Sequence, residues 1–177
     1  VSNVSVSRGT FGLRFANSDA GATLSVTDFA VRNTSGSGID TYRGSGTLDI
    51  DGFRASNVDG DAVSLSAYGG DFRLSDGVIE GTTGSGIDAP RVAGTDGTSR
   101  TLRNVSVTDA SDGGITADGS AADWSLRGVS TTDSDRGLSA TGTNGTWTVE
   151  DSTFTGNAGT SVAFDGASAN ATVTGSD

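Results

Sequence analysis

An apolar pattern of the form Φ-x-Φ-x-x-Φ-x-Φ returns through the whole chain at a nearly constant interval, and this period limits the possible folds more than any other feature. It reads LSVTDFAV from Leu24, LDIDGFRA from Leu48, FRLSDGVI from Phe72, RTLRNVSV from Arg100, WSLRGVST from Trp124, WTVEDSTF from Trp147 and ATVTGSD from Ala171, with starts 24, 24, 28, 24, 23 and 24 residues apart. VSNVSV at the start of the chain fits the second half of the same frame. One column of this alignment holds Val1, Val26, Ile50, Leu74, Leu102, Leu126, Val149 and Val173 without exception. A second column pairs a small residue with an aliphatic one: Gly12-Leu13, Gly38-Ile39, Ala62-Val63, Gly86-Ile87, Gly114-Ile115, Gly137-Leu138 and Ser161-Val162. Two positions later stand Phe15, Thr41, Leu65, Ala89, Ala117, Ala140 and Phe164. Alternation of this kind is strand periodicity, and no window carries the i, i+3, i+4, i+7 spacing of a helix.

Each repeat therefore holds three short alternating segments separated by Gly, Asp, Asn and Ser turns, which predicts a solenoid with three short strands per coil. Coils stacked ~4.8 Å apart place like residues over like, so apolar columns that one coil could not bury become continuous ladders; seven coils make a rod about 34 Å long. A turn column running Arg8, Asn33, Asn57, Gly81, Asp109, Asp133 and Gly156 supports the register, with Asn33 and Asn57 placed to bond amide to amide. PRVAGTDGTS, from Pro90 to Ser99, adds four residues to one coil. Residues 1–177 read as a single domain.

The runs GIDT, AVSL, GIDA, GITA, GLSA and SVAF, each following a polar turn, resemble the strand signature of the right-handed parallel β-helix superfamily, and the likeness covers essentially the whole chain. The superfamily includes pectate-lyase-like proteins and other carbohydrate-binding and sugar-hydrolysing β-helices. The resemblance implies an all-β, right-handed parallel β-helix of about seven coils. It also brings two chemistries into view: lyases with Asp-rich Ca²⁺ sites and an Arg base, and glycosidases with grouped Asp residues. The chain departs from both, having no NTD, no G-H-G and no R-I-K run. Its turns are also short, whereas enzymes of the superfamily use more coils and long loops to wall a cleft.

Composition narrows the chemistry further. Hydrophobic residues make up 33% of the chain, and 28 glycines stand against one proline, a balance that suits many turns around a thin core. The formal charge of −11 comes from 20 Asp and 2 Glu against 11 Arg, with no Lys, His or Cys. Such a field repels nucleic acid and anionic lipid. Without Cys there is no disulfide or thiolate metal site, and without His, Lys or Cys only Asp, Glu, Tyr and Arg remain for proton chemistry. An acidic surface with Arg as its one cation resembles the proteins of extreme halophiles, haloarchaea or their viruses among them. No apolar run is long enough to cross a bilayer. Both ends fall mid-coil, so the segment is expected to belong to a longer chain or assembly, in which other coils or chains of the same assembly are partners.

Three groups of residues are candidates for function. TDASDGG and TDSDRG put Asp109 and Asp133 in one turn column with Asp112 and Asp135 close by, an acidic cluster that Ca²⁺ or another salt cation would relieve. In GIDTYR and GIDAPR the Ile faces inward, so Asp40 and Asp88 face out with Ser64 between them. Asp40, Tyr42, Arg43, Asp88 and Arg91 could then hold a polysaccharide lying along the rod, Tyr42 stacking on a sugar. Sequons at Asn3, Asn104, Asn144 and Asn170 are candidate glycosylation sites, and Asn33 has one too, although its amide is committed to the turn ladder. Trp124 and Trp147 fall in an inward column and are expected in the core. The expected function is a structural or adhesive module outside the cell, on a surface, envelope or fibre; the alternative is a carbohydrate-active β-helix, with Ca²⁺ as its possible cofactor.

Overall fold

The computed structural model describes residues 1–90, 97–165 and 170–175. The chain is all-β and forms a parallel β-solenoid in which every described strand pairs with the strand about 24 residues before or after it. The aliphatic columns are observed pairings: Val26, Ile50, Leu74, Leu102, Leu126, Val149 and Val173 follow one another as partners. So do Leu13, Ile39, Val63, Ile87, Ile115, Leu138 and Val162 on another face. We number the coils 1 to 7 by that second column, from Leu13 to Val162.

Three faces form, but two hydrogen-bonded sheets. Thr23–Thr34, Thr47–Val58, Phe72–Thr82 and Ser99–Ala110 are single bent strands that cross the first two faces, where the sequence suggests two short strands each. Farther along, the same stretch splits into Asp123–Arg127 with Ser130–Thr132, and Trp147–Glu150 with Thr153–Thr155. These belong to a ten-stranded sheet, while the third face is a separate seven-stranded sheet. Its strands are Leu13–Ala16, Ile39–Tyr42, Val63–Ser64, Ser85–Pro90, Gly113–Asp118, Leu138–Thr141 and Val162–Asp165.

Each bend is made by one residue in the left-handed conformation, both where the strand continues through it and where it splits. At the first corner Asn3, Asp28, Gly52, Asp76, Asn104, Gly128, Asp151 and Gly175 all have φ between 49° and 73°. The predicted turn column is a second such corner, Arg8 to Gly156, with φ between 51° and 67°. A third runs Asn17, Arg43, Ala67, Gly119 and Gly142. Left-handed φ is costly for most L-residues and least so for Gly, Asn and Asp, and five Asp and no Glu stand at these corners. Corner side chains also bond up the stack: Asn57 Nδ2 reaches Asn33 Oδ1 at 3.5 Å, and Asn104 Nδ2 donates to Asp76 Oδ1 at 3.0 Å. Other carboxylates hold the coil above, Asp71 and Asp123 accepting the amides of Ser99 and Thr146 at 2.9 and 2.7 Å.

The ladders bury one continuous core. Trp124 and Trp147 lie inside it as expected, stacked at 4.8 Å and 5°, and Phe29 stacks on Phe53 at 6.0 Å. Arg100 is the exception in its column, between Phe72 and Trp124, and it is fully buried. Its guanidinium donates to the carbonyls of Gly70, Tyr68 (2.7 Å) and Ser99 (3.3 Å) and lies 5.4 Å from the Tyr68 ring. Desolvation lowers its pKa to about 10, so it remains a cation at neutral pH.

Candidate functional site on the third face

Because strand side chains alternate, the inward column of the third face fixes an outward one: Arg14, Asp40, Ser64, Asp88, Thr116 and Ser139 stack in successive coils. The predicted order of Asp40, Ser64 and Asp88 along the rod is therefore present. The two carboxylates stand in different surroundings.

Asp40 accepts from Arg14 Nε at 3.0 Å. The Arg14 guanidinium in turn lies 5.2 Å from the Phe11 ring and 5.8 Å from the Tyr42 ring, and Arg43 lies 4.9 Å from Tyr42. Phe11 and Arg14, which the sequence pattern does not single out, thus complete this patch. Tyr42, the expected stacking residue, is half-buried and has two guanidinium groups beside its ring. Arg91 lies outside the described residues.

Asp88 Oδ1 accepts from the Thr116 hydroxyl at 2.6 Å, and Thr116 in turn contacts the Ser85 hydroxyl at 3.1 Å. One coil lower, Asp61 Oδ1 accepts the backbone N–H of Ser85 at 2.9 Å. Desolvation pushes Asp61 up to about 6, helped by the charges of Asp88 and Asp112 and opposed by the Ser85 bond. Asp88 is raised as well, first by desolvation and then by Asp112 and Asp118, with the Thr116 bond acting against them. Asp61, Asp88, Asp112 and Asp118 therefore form one electrostatic group. Asp61 was not legible as part of it, because in sequence it looks like an ordinary turn residue in DGDAVSL.

The acidic turn divides between two places. Asp109 and Asp133 occupy neighbouring positions of the second left-handed corner and, with Asp135, Ser111, Ser134, Gly156 and Ala158, line an open depression of ≈ 550 Å³. Asp135 faces Arg136 at 3.3 Å. Asp112 belongs instead with Asp61 and Asp88. Among the described residues no group of three or more carboxylates is arranged to hold a metal ion. The corner columns otherwise keep carboxylates apart, Asp28, Asp76 and Asp151 each being followed by Gly or Asn, so Asp109 over Asp133 is the one direct Asp-on-Asp step among the described corner residues.

The sequon residues Asn3, Asn104, Asn144 and Asn170 are all exposed. Asn3 and Asn104 are first-corner residues, and the Asn104 amide is already bonded to Asp76. Among the described residues no helix is long and apolar enough to cross a membrane. Comparison of the chain with protein-family models, with curated proteins and with solved structures returned no match.

Proposed function

We propose that this chain is a structural or adhesive β-solenoid module that works outside the cell, as a stiff acidic rod in a surface layer, envelope or fibre. The observation that carries this reading is the tightness of the coil. Single left-handed residues make the corners, the depressions are shallow and open, and no wall of long loops rises among the described residues to enclose a substrate. Ladders running through seven coils resist shear along the rod, since most of the described strands are bonded to two neighbours. The acidic exterior suits concentrated salt, where screening removes the self-repulsion of a −11 chain.

A carbohydrate-active domain is the second reading, and Asp61 favours it: a carboxyl group that holds a proton near pH 6 beside a second carboxylate is the raw material of acid catalysis. One experiment separates the two. Incubation with neutral and uronic-acid polysaccharides between pH 5 and pH 8, read as new reducing ends and as unsaturated products, is expected to show no turnover. Turnover that disappears in Asp61→Asn would replace the structural reading with the enzymatic one.

A further inference from the structure

The second face, between the first and second left-handed corners, differs from the other two in charge. Side chains alternate along a strand, so each coil presents two outward residues there. In coils 1, 5, 6 and 7 both are Ser or Thr; in coils 2 to 4 they are Ala30 and Arg32, Arg54 and Ser56, and Val78 and Glu80. Two cations therefore stand against one carboxylate, with no Asp, on one face of a chain whose formal charge is −11. Asp28, Asp76 and Asp59 lie at or beyond the corners of this face, and the last two already accept from Asn104 and Thr83. Arg32, Arg54, Ser56 and Glu80 line a depression of ≈ 230 Å³ together with the short Ala30. Other arginines are engaged: Arg14, Arg127 and Arg136 in ion pairs, Arg43 on Tyr42 and Arg100 on buried carbonyls. The guanidinium groups of Arg32 and Arg54 make no such contact among the described residues, and both residues are exposed.

We propose that Arg32, Arg54 and Ser56 form a binding site for a tetrahedral oxyanion, a phosphate or sulfate group. Arg32 pairs with Ser56 across neighbouring strands, and Arg54 stands two residues before Ser56 on the same face, so the two Arg Cα atoms are roughly 8 Å apart. At that spacing two long side chains reach one anion lying between them, each offering a fork of parallel N–H donors. The Ser56 hydroxyl adds a neutral donor. Ala30, the strand partner of Arg54, leaves open the space that a longer side chain would fill. A carboxylate presents two oxygens in one plane, which a single fork occupies; donors converging from two coils and a hydroxyl match a group whose oxygens point in more directions. Glu80, the strand partner of Ser56, bounds the depression on the coil 4 side and opposes the anion, which makes the site modest in affinity. The site is independent of the functional reading above, because it rests on a face that carries none of the third-face carboxylates.

Titration followed by NMR of the arginine Nε–Hε groups tests it, with inorganic phosphate and inorganic sulfate as probes at neutral pH and constant ionic strength. Saturable shifts confined to Arg32 and Arg54 are expected, with a dissociation constant of about 1 mM or below. Arg54→Ala should weaken binding about tenfold or more, and Arg54→Lys, which keeps the charge and loses the fork, should weaken it too. Glu80→Gln should tighten it about two- to fivefold at about 0.05 M ionic strength. The 6-phosphate and 6-sulfate esters of glucose set a group carried on a larger molecule against the free ion: saturable binding of either at the two arginines supports the site, and the tighter one names its source. Circular dichroism verifies that the variants, all at outward positions, are folded. An absence of shifts overturns the proposal. Unsaturable shifts spread over Arg73 and Arg103 also overturn it, since they mean an adventitious ion only. So do equal shifts with acetate, or binding that neither Arg54→Ala nor Glu80→Gln alters.

Discussion

Asp61→Asn removes a charge while keeping the acceptor that holds the Ser85 amide, so it isolates the cost of ionising one carboxyl group in the third-face cluster. Burial, with Asp88 and Asp112 nearby, raises the Asp61 pKa from 3.8 to about 6. A carboxyl group raised on folding binds more protons in the folded chain than in the unfolded one at mildly acid pH. Its stabilising contribution is complete below about pH 4 and is lost as pH rises through about 6. A rise of this size corresponds to at most ~3 kcal/mol, and because the group is only partly buried, solvent screening brings this to about 1–2 kcal/mol. At pH 7 the Asn variant should therefore be more stable by that amount, melting about 2–6 °C higher for a chain of this size. At pH 4 the two proteins should melt together. The assay is thermal melting by circular dichroism at pH 4, 5, 6 and 7 in one salt concentration. An Asn variant that melts below wild type at pH 7, or a difference that does not change with pH, would refute the reasoning, since neither can arise from a carboxylate ionised against its surroundings.

Three further outcomes follow from the same packing. Ile87→Ala, in the fully buried third-face ladder, should lower unfolding free energy by about 2–5 kcal/mol in chemical denaturation, and a cost below ~1 kcal/mol would mean the ladder is not a close-packed core. Arg100→Ala should cost about 2–4 kcal/mol by the same measurement, because the Gly70 and Tyr68 carbonyls lose their donor in a buried place; a neutral result would show that solvent reaches them. Asp133→Asn relieves the Asp109–Asp133 step and should raise stability by about 0.5–1 kcal/mol at about 0.05 M NaCl, with the gain gone at about 1 M. A gain that persists in high salt would point to the corner conformation rather than to charge.

The coil period was legible because inward columns must repeat. Once Val26, Ile50 and Leu74 are aligned, stacking follows from burial alone, and the observed partners are the aligned residues. The second corner was legible because Asn33, Asn57, Asp109 and Asp133 share one position. The first corner was harder to read. Its residues fill the two-residue gap between apolar pairs, where a turn and a bent strand look alike, and a single left-handed residue proved enough to carry Thr23–Thr34 round it unbroken. Arg100 could have been suspected from one polar residue in an apolar column, but its carbonyl partners come from residues 68 to 70 and depend on how the third corner closes. The electrostatic group of Asp61 with Asp88 and Asp112 was out of reach for a related reason. Three residues from three coils meet at a flank whose geometry no column defines, whereas the stacking of Asp40, Ser64 and Asp88 on a strand needed only the period.

The central claim is that residues one coil apart lie side by side in register, and paired cysteines test it most directly in a chain that has none of its own. Ser125 and Thr148 are strand partners on the outside of the first face, while Glu150 is two residues out of register with Ser125. Neighbouring strands put partner Cα atoms about 4.8 Å apart, within the range of a disulfide, and a two-residue offset moves them to roughly 8 Å, beyond it. Mild oxidation should therefore close Ser125→Cys with Thr148→Cys rapidly in the folded protein and leave Ser125→Cys with Glu150→Cys open, as read by non-reducing electrophoresis and mass. Equal closure of both pairs, or faster closure of the offset pair, would contradict the solenoid register on which the account depends.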